Sequence, residues 1–289
     1  MYAHNNTEID YFKIACANAL LVQKNLKVPV TLVSDEGTVS WGKTALGEDF
    51  VNQCFEQIVI VDRDYTYSNP RNYSDTSFSS KPLQFYNCKH WQAYKLSPYD
   101  ETLFIDSDYL IMSSALSNCW GSNKDIMINK TIINIVDTKD SYTKTIDDFG
   151  IAQYWATVVY FTKSPFSELF FDIIGHIENN YSYFNQLFYF TNRMFRNDNA
   201  FSIAVHMMNG FVDSSEVVSE LPIPGLFMSW DKDDILDIND VNEITIYAEK
   251  PTKGTYTLAR LKNQDVHVMN KWAINRFSDK LINLCKETK

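Results

Sequence analysis

Two carboxylates one residue apart close an apolar run at Phe104-Ile105-Asp106-Ser107-Asp108. Where a strand ends and the backbone unwinds, that spacing turns both acids toward one hard divalent cation, which takes oxygen ligands and keeps room for phosphate oxygens. Asp106 and Asp108 are therefore candidate metal ligands in a site built for a diphosphate. The competing reading is a turn in which the two acids cap the next element. Near the C-terminus, His267-Val-Met-Asn-Lys271 offers an imidazole that can complete a metal shell begun by carboxylates, and an ammonium that can neutralise the same phosphates. A lone histidine is more often a hydrogen-bonded structural residue, so its weight rests on its position relative to Asp106 and Asp108.

A third pattern points elsewhere. Gly37-Thr-Val-Ser-Trp-Gly-Lys-Thr44 matches the P-loop spacing G-x-x-x-x-G-K-[ST] and follows an apolar run, which read literally gives an NTPase or kinase. Against it, Thr38, Val39 and Trp41 fill the gap where small residues would let amides wrap phosphate, and Asp35 and Glu36 would sit beside a triphosphate. Gly47 also weakens the helix that should follow. The plainer reading is a loop linking two sheet strands, with Lys43 solvated.

The elements that must position these residues alternate between helix and strand. Apolar residues recur at helical spacing from Glu8 to about Leu26, through Ile9, Phe12, Cys16, Ala19, Leu20 and Val22, and the β-branched run Val28 to Val33 follows. Gln57 to Asp62 and Thr102 to Asp106 read as further strands, with a helix from about Leu83 to Leu96 that Pro98 stops. Continuous apolar strands closed by Asp and separated by helices predict an α/β fold with a mostly parallel central sheet, and ligands at its carboxyl edge. Thr66 to Ser80 has the composition of a long surface loop. Asp125 to Asn129 and Ala156 to Phe161 read as strands, Pro165 to about Asn179 and Asn199 to Met208 as helices. Leu221 to Trp230 reads as an irregular connection before short strands near Glu243 to Ala248. Only Met1, Tyr2 and Ala3 precede His4-Asn5-Asn6, so the sheet either begins one strand late or pairs a stub. No repeat or linker divides the chain, and a single domain over 1–289 is expected, with a nucleotide-binding half at about 1–112 and an acceptor half at about 113–289.

Composition narrows the function classes. No apolar run approaches the ~20 residues that cross a bilayer, and the opening residues lack a signal segment, so a soluble cytoplasmic protein is expected. Cysteines 16, 54, 88, 119 and 285 are odd in number and never form Cys-x-x-Cys, which argues for reduced, buried thiols. The sequons at Asn5, Asn72, Asn129 and Asn180 read as chance. A net charge of −10 opposes tight non-specific binding of nucleic acid.

Taken in order, these pieces resemble the GT-A nucleotide-sugar glycosyltransferases, most closely the retaining enzymes of the glycogenin and lipopolysaccharide galactosyltransferase kind. The resemblance spans nearly the whole chain on four short patches and implies a Rossmann-like GT-A fold. By it, Tyr2-Ala3-His4-Asn5-Asn6 is the loop that holds the nucleoside, with Asp35 as a base contact. Lys89 stands where the family carries a basic residue reaching the donor. Asp106-Ser107-Asp108 corresponds to the D-x-D motif, and Ser107 falls in the donor site with it. Arg196-Asn-Asp198-Asn199 resembles N-D-Q-D, so Asp198 would hold donor-sugar hydroxyls and Asn199 would face the anomeric carbon; an ordinary helix N-cap is the alternative for Asp198. His267 and Lys271 resemble the terminal H-x-x-G-x-x-K-P-W as third metal ligand and diphosphate contact. The chain departs from the family in the shorter His267-to-Lys271 spacing without Gly or Pro, in Asn199 for Gln, and in Trp155-Ala156-Thr157 for Asn-Ala-Gly, which sets a bulky ring near the donor sugar.

What the resemblance implies is a manganese- or magnesium-dependent transfer from a nucleoside-diphosphate sugar, by family habit UDP-linked, to a hydroxyl acceptor. A saccharide is the default acceptor; the hydroxymethylated DNA base served by phage-encoded transferases in the host cytoplasm is the other, and the one role left for nucleic acid. Trp155, Tyr181 to Phe190 and Trp230 are candidates for a stacking surface, although a buried helix explains the middle segment as well. A sugar-phosphate nucleotidyltransferase using the same carboxylates is the nearest alternative, and it would prefer a Gly-rich opening loop, absent here.

Overall fold

The apolar spacing that begins at Glu8 produces the helix Tyr11–Asn25, whose first turn is capped by the Asp10 carboxylate accepting from the Lys13 amide. This helix is buried along most of its length and packs against the C-terminal helix Lys271–Glu287. The first and last helices thus clasp each other, and the tail of the chain is held beside its start. The computed structural model describes residues 1–63, 69–76, 79–86, 89–136, 141–146, 151–190, 194–214, 216–229, 232–250 and 252–287.

Mixed α/β is the architecture, but parallel pairing is confined to part of it. Tyr2–Ala3 pairs in parallel with Thr31–Ser34, which pairs in parallel with Gln57–Ile60. The chain therefore does open on a paired two-residue strand. Beyond it, Glu101–Ile105 and Ile126–Ile128 flank Val158–Thr162, and both contacts are antiparallel. A mixed five-stranded sheet runs Ser141–Thr143, Thr131–Asn134, Leu226–Ser229, Val266–Val268, Tyr109–Leu110, parallel only at its two central contacts. The expected mostly parallel central sheet is thus corrected. Unbroken apolar runs report strands buried on both faces, and they carry no information on direction.

Local corrections follow the same logic. The surface-loop composition at 66–80 belongs partly to a hairpin, Asn69–Thr76 with Ser79–Phe85, and the helix expected over 83–96 is reduced to Ala93–Leu96 behind a 3₁₀ turn at His90–Gln92. Gly37 to Thr44 lies inside the helix Glu36–Leu46, not in a loop: from Val39 on its amides are spent on helical bonds and the Thr38 amide is taken by the Asp35 carboxylate, so the segment does not wrap a phosphate. Lys43 instead pairs with Glu48 at 2.7 Å. The stretch read as irregular contains the strand Leu226–Ser229, while Trp230 and Cys88 lie outside the described residues. Cys16, Cys54, Cys119 and Cys285 are free and buried. No helix among the described residues is long and apolar enough to cross a membrane.

Two apolar cores support the site. One lies under the clasped terminal helices and the tail strands; the other gathers Phe104, Phe161, Phe170, Phe171 and Phe201 between the antiparallel sheet and the helices Pro165–Asn179 and Asn197–Met208. The second core anchors the start of the latter helix, and with it Asp198.

Candidate metal centre

Asp106 follows the last residue of the strand Glu101–Ile105, and its amide still donates to the Thr157 carbonyl at 2.9 Å. The Tyr109 amide then bonds back to the Asp106 carbonyl at 3.1 Å, closing a turn that presents Asp106, Ser107 and Asp108 to one cleft. That turn is clamped from behind. Asn18, fully buried on the first helix, donates to the Ser107 and Tyr109 carbonyls at 3.3 and 2.7 Å and accepts from the Ile111 amide at 3.1 Å. Asp265 accepts from the amides of Met112 and Ser113 at 2.8 and 2.7 Å.

The tail reaches this turn through sheet pairing. Val266–Val268 runs antiparallel to Tyr109–Leu110 with His267 opposite Tyr109, and the Val268 amide donates to the Asp108 carbonyl at 3.0 Å. Ladder register thus sets His267 beside Asp108 despite the distance in sequence. One ligand atom each from Asp106, Asp108 and His267 lie within 4.8 Å of one another, a spacing that fits two hard oxygen donors and an imidazole around one divalent ion. His267 Nε2 is 3.5 Å from Asp108 Oδ1, and Thr157 Oγ1 is 3.5 Å from His267 Nδ1. Lys271 pairs with Asp108 through its ammonium. Burial pushes the Asp106 carboxyl up to about 6, with His267 and Lys271 opposing and the Asp198 charge adding to the rise. The group stores unfavourable desolvation that a cation would relieve.

The cleft, of about 160 Å³, is lined by Tyr2, Ala3, His4, Asp106, Ser107, Asp108, Asp198, His267 and Lys271 among the residues expected from sequence. Trp155 also lines it, almost fully buried, with its indole N–H lacking a hydrogen-bond partner and Lys144 over the ring at 5.4 Å. Asp198, in the first turn of its helix and not at the cap, accepts from the Ala156 amide at 3.0 Å and faces Arg196 at 3.7 Å. Lys89 lines an adjoining, more open cleft that shares Tyr2, His4 and Tyr86 with the first. A larger apolar cavity of about 360 Å³, lined by Val22, Leu26, Val33, Phe104 and Trp120 among others, contains none of the three candidate ligands.

Four expected residues point elsewhere. Asn5 donates to Asp10 and accepts from the Phe12 amide, and Asn6 accepts from the amides of Glu8 and Ile9 while donating to the Gln84 carbonyl; both brace the loop into the first helix. Asn199 donates to the Tyr181 hydroxyl. Asp35 caps the helix Glu36–Leu46, accepting from the Thr38 amide and hydroxyl, from Arg63 at 2.8 Å, and contacting His4 Nδ1 at 2.8 Å. Burial would raise its carboxyl, but the bonds from His4, Arg63 and Thr38 outweigh that and hold it well below the usual range. Burial lowers His4 despite the neighbouring acid.

Arg63, Asn18, Asp265 and His90 escaped the sequence reading. Arg63 stacks over Tyr86 at 4.3 Å, and its signal is a basic residue just past a parallel strand. Asn18 is a polar residue within an otherwise apolar helix face. His90, stacked on Tyr2 at 5.4 Å and driven down to about 3 by burial, is a neutral wall of the cleft. No family model matches this chain, and no curated protein matches it.

Proposed function

We propose that this chain is a metal-dependent glycosyltransferase with a Rossmann-like GT-A arrangement, moving a sugar from a nucleoside-diphosphate donor to a hydroxyl acceptor. The observation that carries the reading is the convergence of Asp106, Asp108 and His267, from the middle and the tail of the chain, in a cleft that also holds Lys271 and Asp198. The adjoining cleft past Tyr2, His4 and Tyr86, edged by Lys89, offers room for a nucleoside next to the diphosphate position.

Asp106, Asp108 and His267 would hold manganese or magnesium, which supplies positive charge for the donor's two phosphates. Lys271 offsets negative charge as the bond from the anomeric carbon to the diphosphate oxygen lengthens, and fixed charge of this kind contributes several kcal/mol. Asp198, fixed by the Ala156 amide, orients sugar hydroxyls, and Trp155 limits the size of the ring that fits. With attack on the face of departure, the acceptor proton passes to the leaving diphosphate, so no separate base is required. A saccharide is the favoured acceptor.

The test is a thermal-shift screen of nucleoside diphosphates and their sugars with and without manganese, followed by assay of nucleoside-diphosphate release. Stabilisation by a nucleotide sugar that requires manganese, and release of nucleoside diphosphate lost in Asp106→Asn, is the expected result. Stabilisation by ATP alone, or release of pyrophosphate, overturns the reading.

A further inference from the structure

The parallel sheet and the sheet that carries Glu101–Ile105 face each other across the apolar cavity of about 360 Å³, whose walls have the form of a slot for one more strand. Val28 to Thr31 make one side wall and Glu101 to Ile105 the other. Val22 and Leu26, from the first core, close one face, and Ala93 and Leu96, from the second, close the opposite one. Both side walls turn backbone groups into the slot. The Met1 nitrogen donates to the Thr31 carbonyl at 3.0 Å and the Val33 amide to the Met1 carbonyl at 2.8 Å, while Val30 and Ser34 turn their carbonyls the other way, to Glu56 and Val61. Alternation along the strand therefore aims the Thr31 amide into the slot. Across from it, the Asp106 amide bonds to Thr157 and the Lys163 amide to Asp100, which makes Thr102 and Phe104 the bonded partners of Val158–Thr162. Leu103 and Ile105 direct their backbone groups to the slot instead. No strand among the described residues pairs with Glu101–Ile105 on this side. The Tyr99 hydroxyl, 2.8 Å from Thr31 Oγ1, ties the two walls at the far end.

We infer that this slot seats a β-strand of about four residues that runs directly into Met1 from a preceding segment of the same polypeptide. The existing ladder sets its register. Tyr2 lies opposite Val33 and Ala3 opposite Ser34, so the four positions ahead of Met1 fall opposite Thr31, Val30, Pro29 and Val28, a length of about 13 Å at the rise of a strand. Continuity selects this occupant over a separate peptide. The bond from the Met1 nitrogen to Thr31 is already the one a ladder amide makes, and joining a residue there turns an ammonium in the wall of an apolar cavity into a neutral amide, which removes the cost of desolvating a charge. Composition follows from the two faces. Successive side chains would meet Val22 and Leu26 on one side and Ala93 and Leu96 on the other, so an unbroken β-branched apolar run fits and an alternating one does not. Such a strand joins Gln57–Ile60, Thr31–Ser34 and Tyr2–Ala3 to Glu101–Ile105 as one sheet. The filled wall ends at Ile105, one residue before Asp106, so the occupant also braces the turn that carries the candidate ligands.

The experiment compares the 289-residue chain with two extended forms, carrying Val-Ile-Val-Val or Gly-Ser-Gly-Ser ahead of Met1, by thermal melting and amide hydrogen exchange. The apolar extension should melt at least about 4 °C above the Gly-Ser form and slow exchange of the Thr31 and Leu103 amides at least about tenfold. The same apolar tetrapeptide, capped and added free to the unextended chain, lacks the effective concentration of a joined segment and should shift the melt by less than about 1 °C. Protein purified from its native source should have an intact mass above 33.5 kDa. Equal melting of the two extended forms, unchanged exchange at both amides, a free peptide that stabilises as strongly as the joined one, or a native mass of 33.5 kDa each overturns the inference.

Discussion

Two histidine–aspartate contacts line neighbouring parts of this molecule, and they are finished to different degrees. At His4 and Asp35 the contact is 2.8 Å, and Arg63 and Thr38 complete the carboxylate, which is held well below its usual range. At His267 and Asp108 the separation is 3.5 Å, and the neighbouring Asp106 is pushed up to about 6 by burial that no hydrogen bond offsets. The first cluster is closed by protein groups alone. In the second, Lys271 pairs with Asp108 while Asp106 has no such partner among the described residues, and under the proposed function a cation would complete that space.

The contrast is broken most severely at the acid pair. Asp106→Asn should lower metal-dependent turnover at least about 10³-fold, close to 4 kcal/mol of barrier, with little loss of melting temperature. Asp108→Asn should lower turnover as far and also lower the melting temperature, because it strands the part-buried Lys271 ammonium. Assay at saturating manganese against a thermal melt separates the two effects. Asp35→Asn should do the reverse. It strands Arg63 beside a weakened partner, and chemical denaturation should show a loss of about 3 kcal/mol while manganese affinity stays within about twofold.

How far each cluster was legible follows from where its partners lie in the sequence. Asp106 and Asp108 announce themselves locally, as paired acids closing an apolar run. His267 gains its meaning only through the pairing of Val266–Val268 with Tyr109–Leu110, a contact that the resemblance suggested and periodicity could not. The resemblance made Asp35 a base contact; in the fold it caps the helix Glu36–Leu46, and only the fold brings Arg63 and His4 onto it. Strand direction was the larger loss, since Val158–Thr162 has the same unbroken apolar content in either orientation.

A smaller effect sharpens the comparison from behind the site. Asn18→Leu removes the clamp on the turn without touching the cleft, leaving the Ser107 and Tyr109 carbonyls and the Ile111 amide without their partner. It should cost about 2 kcal/mol of stability and about tenfold in manganese affinity, measured by calorimetry. Smallest is an acid remote from both clusters. Burial pushes Asp234 up to about 6 from a reference of 3.8, so its charged form is disfavoured in the fold. The Asp234 contribution to stability should therefore rise as pH falls from 7 through 6 toward 4. Asp234→Asn should flatten that slope, gaining about 1 to 2 kcal/mol at pH 8 and nothing at pH 4 in denaturant titrations.

The most direct measurement is a manganese titration by calorimetry on wild type, Asp108→Asn and Asp35→Asn under identical conditions. The account predicts one ion per chain in wild type and in Asp35→Asn, and no measurable binding in Asp108→Asn. Equal binding by all three proteins, or by none, would contradict it.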